Sequence, residues 1–78
     1  MYDEDADKTA VEQVLAGNNE VYGDIVHRYK DIIFSAVYSI IKNYHTAEDI
    51  MQDTFIDGYI KIKSLKDPRK ISAWLLKM

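Results

Sequence analysis

Glu48, Asp49 and Asp53 come nearest to reactive chemistry in this sequence. Asp49 and Asp53, four residues apart, fall on one face of a helix and could serve as acid, base or divalent-metal ligands. The rest of the sequence withholds what that chemistry needs. It has no Glu-x-x-His pair of the kind that builds helical metal sites, and His27 and His45 stand a whole helix apart. The three glycines are isolated, so no loop cradles a phosphate, and Ser35, Ser39, Ser64 and Ser72 carry no nucleophile signature. With no Cys there are no thiolate ligands either. The carboxylates read as solvated or capping groups. The expectation is a binding protein with no cofactor and no metal, not an enzyme.

The stretch Ala47-Glu48-Asp49-Ile50-Met51-Gln52-Asp53-Thr54-Phe55 has a different use. At about 100° per residue, Ala47, Ile50, Met51, Thr54, Phe55, Gly58 and Ile62 share one side of a helix, the side to be buried. Asp49, Gln52, Asp53, Ile56 and Ile60 gather opposite. Isoleucines among carboxylates, where solvent is expected, mark a second working side and hence a partner surface. Tyr59 lies between the two sides and is either a contact residue or the rim of the core.

Charge separates along the chain. Residues 1–24 hold one Lys against seven acids, whereas residues 61–78 hold six Lys or Arg against Asp67 alone. The overall charge of −3 argues against nucleic acid, but clustered charge sets the local field. In the basic end Trp74 accompanies Lys63, Lys66, Arg69 and Lys70. Cations beside a flat apolar ring suit single-stranded nucleic acid. By residue type and spacing with Ile71 and Met78, however, Trp74 fits the core better.

The elements that must position these residues are all helical. At 78 residues the chain is one small domain without disulfides, so amphipathic helices must supply its core. Absent cysteines, an acidic N-terminus and no apolar run near ~20 residues predict a soluble cytoplasmic protein. Residues 1–8 read as a flexible acidic tail containing Tyr2. Thr9-Ala10-Val11-Glu12 reads as a capping box opening a helix over about 9–16, with Gly17 as its left-handed stop. Asn18 or Asn19 then caps a long helix over about 20–42. Its apolar positions are Tyr22, Ile25, Val26, Tyr29, Ile32, Ile33, Ala36, Val37, Ile40 and Ile41. Thr46 caps a helix over about 46–63 after a short connector, Lys42-Asn43-Tyr44-His45. Asp67-Pro68 restarts the chain for a last helix over 67–78. Short connections favour a compact antiparallel all-α bundle of about four helices. The β-branched residues of the long helix each cost at most about 0.7 kcal/mol of propensity, against about 1.5–3 kcal/mol gained on burial, so packing decides.

The order of these pieces resembles a known family. A short acidic helix, a long aromatic-rich helix, the run A-E-D-I-M-Q-D-T-F-I-D-G-Y, a basic loop and A-W-L-L together resemble region 2 of bacterial sigma factors of the extracytoplasmic-function group. The resemblance covers about residues 9–78. It implies a promoter-recognition subunit of RNA polymerase. Asp49, Gln52, Asp53 and Tyr59 would dock on the clamp coiled coil of the β′ subunit, with Ile56 and Ile60 adding apolar contact. Lys63, Ser64, Lys66, Arg69 and Lys70 would line the side facing the non-template strand of the promoter −10 element, with Trp74 at the family's aromatic position. Capture of an extruded base would drive melting, and an anti-sigma protein is implied as a partner of the polymerase-binding surface. The family's second domain, a helix-turn-helix for the −35 element, is absent from this chain. The alternative reading is a helical protein–protein adaptor unrelated to transcription.

Overall fold

The computed structural model describes residues 3–78, and its elements among them are helical throughout. Helix α1 spans Glu4–Leu15, α2 Tyr22–Ile41, α3 Tyr44–Lys61 and α4 Ile71–Leu76. Single 3₁₀ turns at Asn19–Val21, Ile62–Ser64 and Pro68–Lys70 join them. The all-α bundle expected from the sequence is the observed architecture. No helix among the described residues is long and apolar enough to cross a membrane.

The α2–α3 pair is antiparallel, as its ring contacts show. Phe34, late in α2, meets Tyr44 at the start of α3 with ring centroids 5.1 Å apart. Tyr22, at the start of α2, meets Tyr59 near the end of α3 at 5.2 Å. The reversal is made at Lys42, whose φ of 61° is left-handed, while its N–H still donates to the Tyr38 carbonyl. Around the pair, Val11 and Val14 of α1, Ile25, Tyr29 and Ile33 of α2, Phe55 of α3, and Ile71 and Leu75 of α4 form one buried cluster. At Gly58, α3 packs closely against both α4 and α2. A Cβ there would stand 2.6 Å from Leu75 Cδ2 and 2.9 Å from the Tyr22 hydroxyl. That hydroxyl donates to the Phe55 carbonyl at 2.5 Å, and desolvation by burial pushes its pKa up to about 12.

Several boundaries differ from the sequence expectation. Helix α1 starts at Glu4, not at the Thr9 capping box, so residues 4–8 are helical rather than tail. Asp3 is the N-cap, its side chain accepting from the Ala6 N–H at 3.1 Å, and Glu4, Asp5 and Asp7 sit near the positive end of the helix dipole. The Thr9 hydroxyl instead bonds back to the Asp5 carbonyl. Met1 and Tyr2 of the expected tail lie outside the described residues. Helix α3 likewise begins early, at Tyr44: Asn43 caps it by accepting from the Thr46 N–H at 3.0 Å. Gly17 is left-handed as expected, with φ 103°. Asn18 makes no side-chain cap, and a 3₁₀ turn precedes α2. The last element splits into the Pro68–Lys70 turn, capped by Asp67, and the six-residue α4.

The apolar stripes are also only partly covered. Ile40 is 80% exposed, and Ala36, Ile41 and Ile50 are exposed too. They line an open cleft of about 260 Å³ with Val37, Leu76 and Met78. Helical period fixes which side these residues share, but not whether a neighbour lies against that side.

Candidate functional site

The outer side of α3 follows from its register. Burying Ala47, Phe55 and Gly58 inward turns Asp49, Gln52, Asp53, Ile56 and Ile60 to solvent. Ile56 is 56% and Ile60 70% exposed. Tyr59, 39% exposed, shares both sides: its ring edge rests against Tyr22 while the rest faces outward. None of Asp49, Gln52 and Asp53 makes a side-chain hydrogen bond or ion pair with another described residue. Their polar capacity is unused among the described residues. Two residues extend this face beyond the sequence expectation. Asp57 is exposed one turn after Asp53, a spacing that could have revealed it. Leu15 at the end of α1, 45% exposed, shares a shallow groove with Tyr59, Ile60 and Lys63, a neighbour no local spacing foretells.

Beyond α3 the chain turns twice in short 3₁₀ segments and forms a second, basic hollow of about 480 Å³. Ser64, Lys66, Lys70 and Trp74 line it together, with Leu65, Ala73, Lys77 and one acid, Asp67, as members that the sequence reading did not include. Two expected residues stand apart from this lining. Lys63 belongs to the groove beside Ile60, and Arg69 Nε is held 3.4 Å from Asp67 Oδ1. Trp74 is half-buried: it packs on the core cluster, close over Gly58, and still borders the hollow. The fit to the core and the place beside the cations therefore both hold for this ring.

The cations differ in their commitments. Lys70 Nζ lies 2.9 Å from Glu4 Oε2, which raises the Lys70 pKa. The backbone N–H of Arg69, with help from its side chain, holds the Asp67 carboxyl below the usual carboxylate range. Lys63, Lys66 and Lys77 pair with no carboxylate among the described residues. No three His, Cys, Asp or Glu side chains among the described residues converge to hold a metal ion, Glu48, Asp49 and Asp53 included.

The polar group that the sequence reading misplaced is Asp7. It is fully buried, the carboxylate accepting from Arg28 Nη1 through one oxygen and from the Tyr29 hydroxyl through the other. Desolvation first, and then the bond to Asp7, push the Tyr29 phenol up to about 12. The signal for this cluster is weak in sequence, because an acidic residue near an acidic N-terminus is ordinarily solvated.

Residues 25–78 match the family model for sigma-70 region 2. The chain is 41% identical over 71 residues to the ECF RNA polymerase sigma factor SigW of Bacillus subtilis, covering 91% of this chain and 38% of that protein. It is 28% identical over 78 residues to the RNA polymerase sigma factor CnrH of Cupriavidus metallidurans, all of this chain and 41% of that one. A third relative, the ECF RNA polymerase sigma factor SigM of Bacillus subtilis, is 34% identical over 55 residues, 70% of this chain and 33% of that protein. The chain thus spans about two fifths or less of the length of these curated relatives. No solved structure gives a significant match. With the family model covering more than half of its residues, the chain belongs to the sigma-70 region 2 family, in the extracytoplasmic-function group.

Proposed function

We propose that this domain binds the β′ clamp coiled coil of core RNA polymerase through the outer side of α3, and engages the promoter −10 element through the basic hollow. Its relatives are named RNA polymerase sigma factors, which supports the general role in transcription initiation. The observation that carries the finer reading is the pairing of exposed Ile56 and Ile60 with polar groups that have no side-chain partner among the described residues. Carboxylates at Asp49 and Asp53 suit Arg on a partner helix, where charge-assisted bonds select geometry, and the isoleucines supply desolvation. Each isoleucine fully buried contributes about 1.5–3 kcal/mol.

On the other side, Lys66, Lys70 and Lys77 would meet phosphates while Trp74 and Leu65 wall the hollow for an unstacked base of the non-template strand. Melting then draws on binding energy: capturing one base offsets an unstacking cost of a few kcal/mol. An anti-sigma protein that covers the α3 face would block polymerase without touching the hollow. The adaptor alternative uses the same face but gives the hollow no role. Replacing Gln52 and Asp53 together by Ala is expected to abolish capture of core polymerase while far-UV circular dichroism stays helical. Undiminished capture by that double variant would remove the assigned interface.

A further inference from the structure

Helix α1 touches the outer face only through Leu15, yet it holds the one fully buried charge among the described residues. A buried carboxylate is costly unless paired, and Asp7 is paired twice, to Arg28 and to Tyr29 of α2. The cluster therefore fixes α1 to α2 at a set register. From that position α1 reaches the basic turn. The Pro68–Lys70 segment leans on α1 more than on any other element, Glu4 bridges to Lys70 at 2.9 Å, and Val11 and Val14 share the core cluster with Ile62 and Ile71 on either side of the turn. The turn needs such support. Its two 3₁₀ pieces are three residues each, too short to hold a shape unaided.

We infer that α1 is the splint of the basic turn and that Asp7 is its positioning residue, setting the loop for nucleic acid through α1 rather than by contact. The nucleic-acid part rests on the proposed function; the splint itself does not. Two variants separate the possibilities. Asp7→Asn keeps the volume and removes the charge, and Tyr29→Phe removes one hydroxyl. In amide hydrogen exchange on the full chain, Asp7→Asn is expected to speed residues 62–70 about tenfold while residues 49–60 keep their rates. Tyr29→Phe gives a smaller change confined to the same segment. In the complex with core polymerase, Asp7→Asn retains capture but ultraviolet crosslinking of the chain to a mixed-sequence single-stranded oligodeoxynucleotide falls about tenfold. Acceleration spread evenly over all four helices would make Asp7 a plain stability residue and overturn the inference, as would unchanged exchange at 62–70. If Asp7→Asn fails to fold, Tyr29→Phe decides by the same two criteria. Failure of the unmodified chain to capture polymerase would sink the proposed function alone and leave the exchange result to judge the splint.

Discussion

The outer side of α3 and the basic hollow lie next to each other in the chain but are prepared differently. On α3 the carboxylates and Gln52 have no side-chain partner among the described residues and ride on one 18-residue helix. In the hollow, Lys70 is already held by Glu4, nearby Arg69 is held by Asp67, and the backbone is made of short turns braced by α1. Under the proposed function the first surface meets its partner as it stands. At Lys70 and Arg69 the second must exchange internal ion pairs for external ones, and pairs this exposed are screened by water, so the exchange is easy. Under the proposed function this difference orders events: polymerase first, then DNA at a turn whose cations are released as phosphates arrive.

Breaking the first surface gives the largest effect. Ile56→Asp with Ile60→Asp is expected to weaken polymerase capture at least about 100-fold, from the lost apolar burial, whereas Lys66→Ala leaves capture unchanged. Equal losses from both would erase the distinction between the surfaces. Next comes the crossing that both share. Gly58→Ala forces a methyl into Leu75 and Tyr22, and urea denaturation should show a loss of about 1–3 kcal/mol. Raised phenol pKa values predict an alkaline limit. Tyr22 and Tyr29 ionise near 12 in the folded chain against an ordinary value near 10. Their contribution to stability is therefore complete below pH 10 and is lost as pH rises through the interval to 12. A spectrophotometric titration should show these two phenols ionising late, near pH 12, with unfolding in the same window. The smallest change is at the α2–α3 reversal. Lys42→Gly relieves a left-handed side chain and should stabilise the fold by about 1 kcal/mol, without altering either surface.

How much of this was legible depends on how far the deciding interaction reaches along the chain. The two-sided character of α3 is a matter of residues three and four apart, and the structure keeps Ile56 and Ile60 outward as the spacing implies. Asp67-Pro68 acts over two residues and caps its turn as expected. Helix α1 was misread because two start signals compete locally, Asp3 and Thr9, and the weight lies with Asp7, whose partners stand 21 and 22 residues away. The charge of the basic end was plain, but the Glu4–Lys70 pair spans 66 residues and leaves no local mark. The end of α2 shows the reverse error: Ile40 and Ile41 obey the period, yet a period is silent on whether anything lies opposite.

Trp74 is the chain's single tryptophan, lodged with one part on the core and another on the hollow. The molecule thereby carries its own optical gauge. Denaturation would shift its emission to the red as water reaches the indole, and a nucleobase stacked on the ring would quench it with little shift. One fluorophore can tell loss of structure from arrival of a ligand, without a dye and at concentrations low enough to keep the domain from crowding itself.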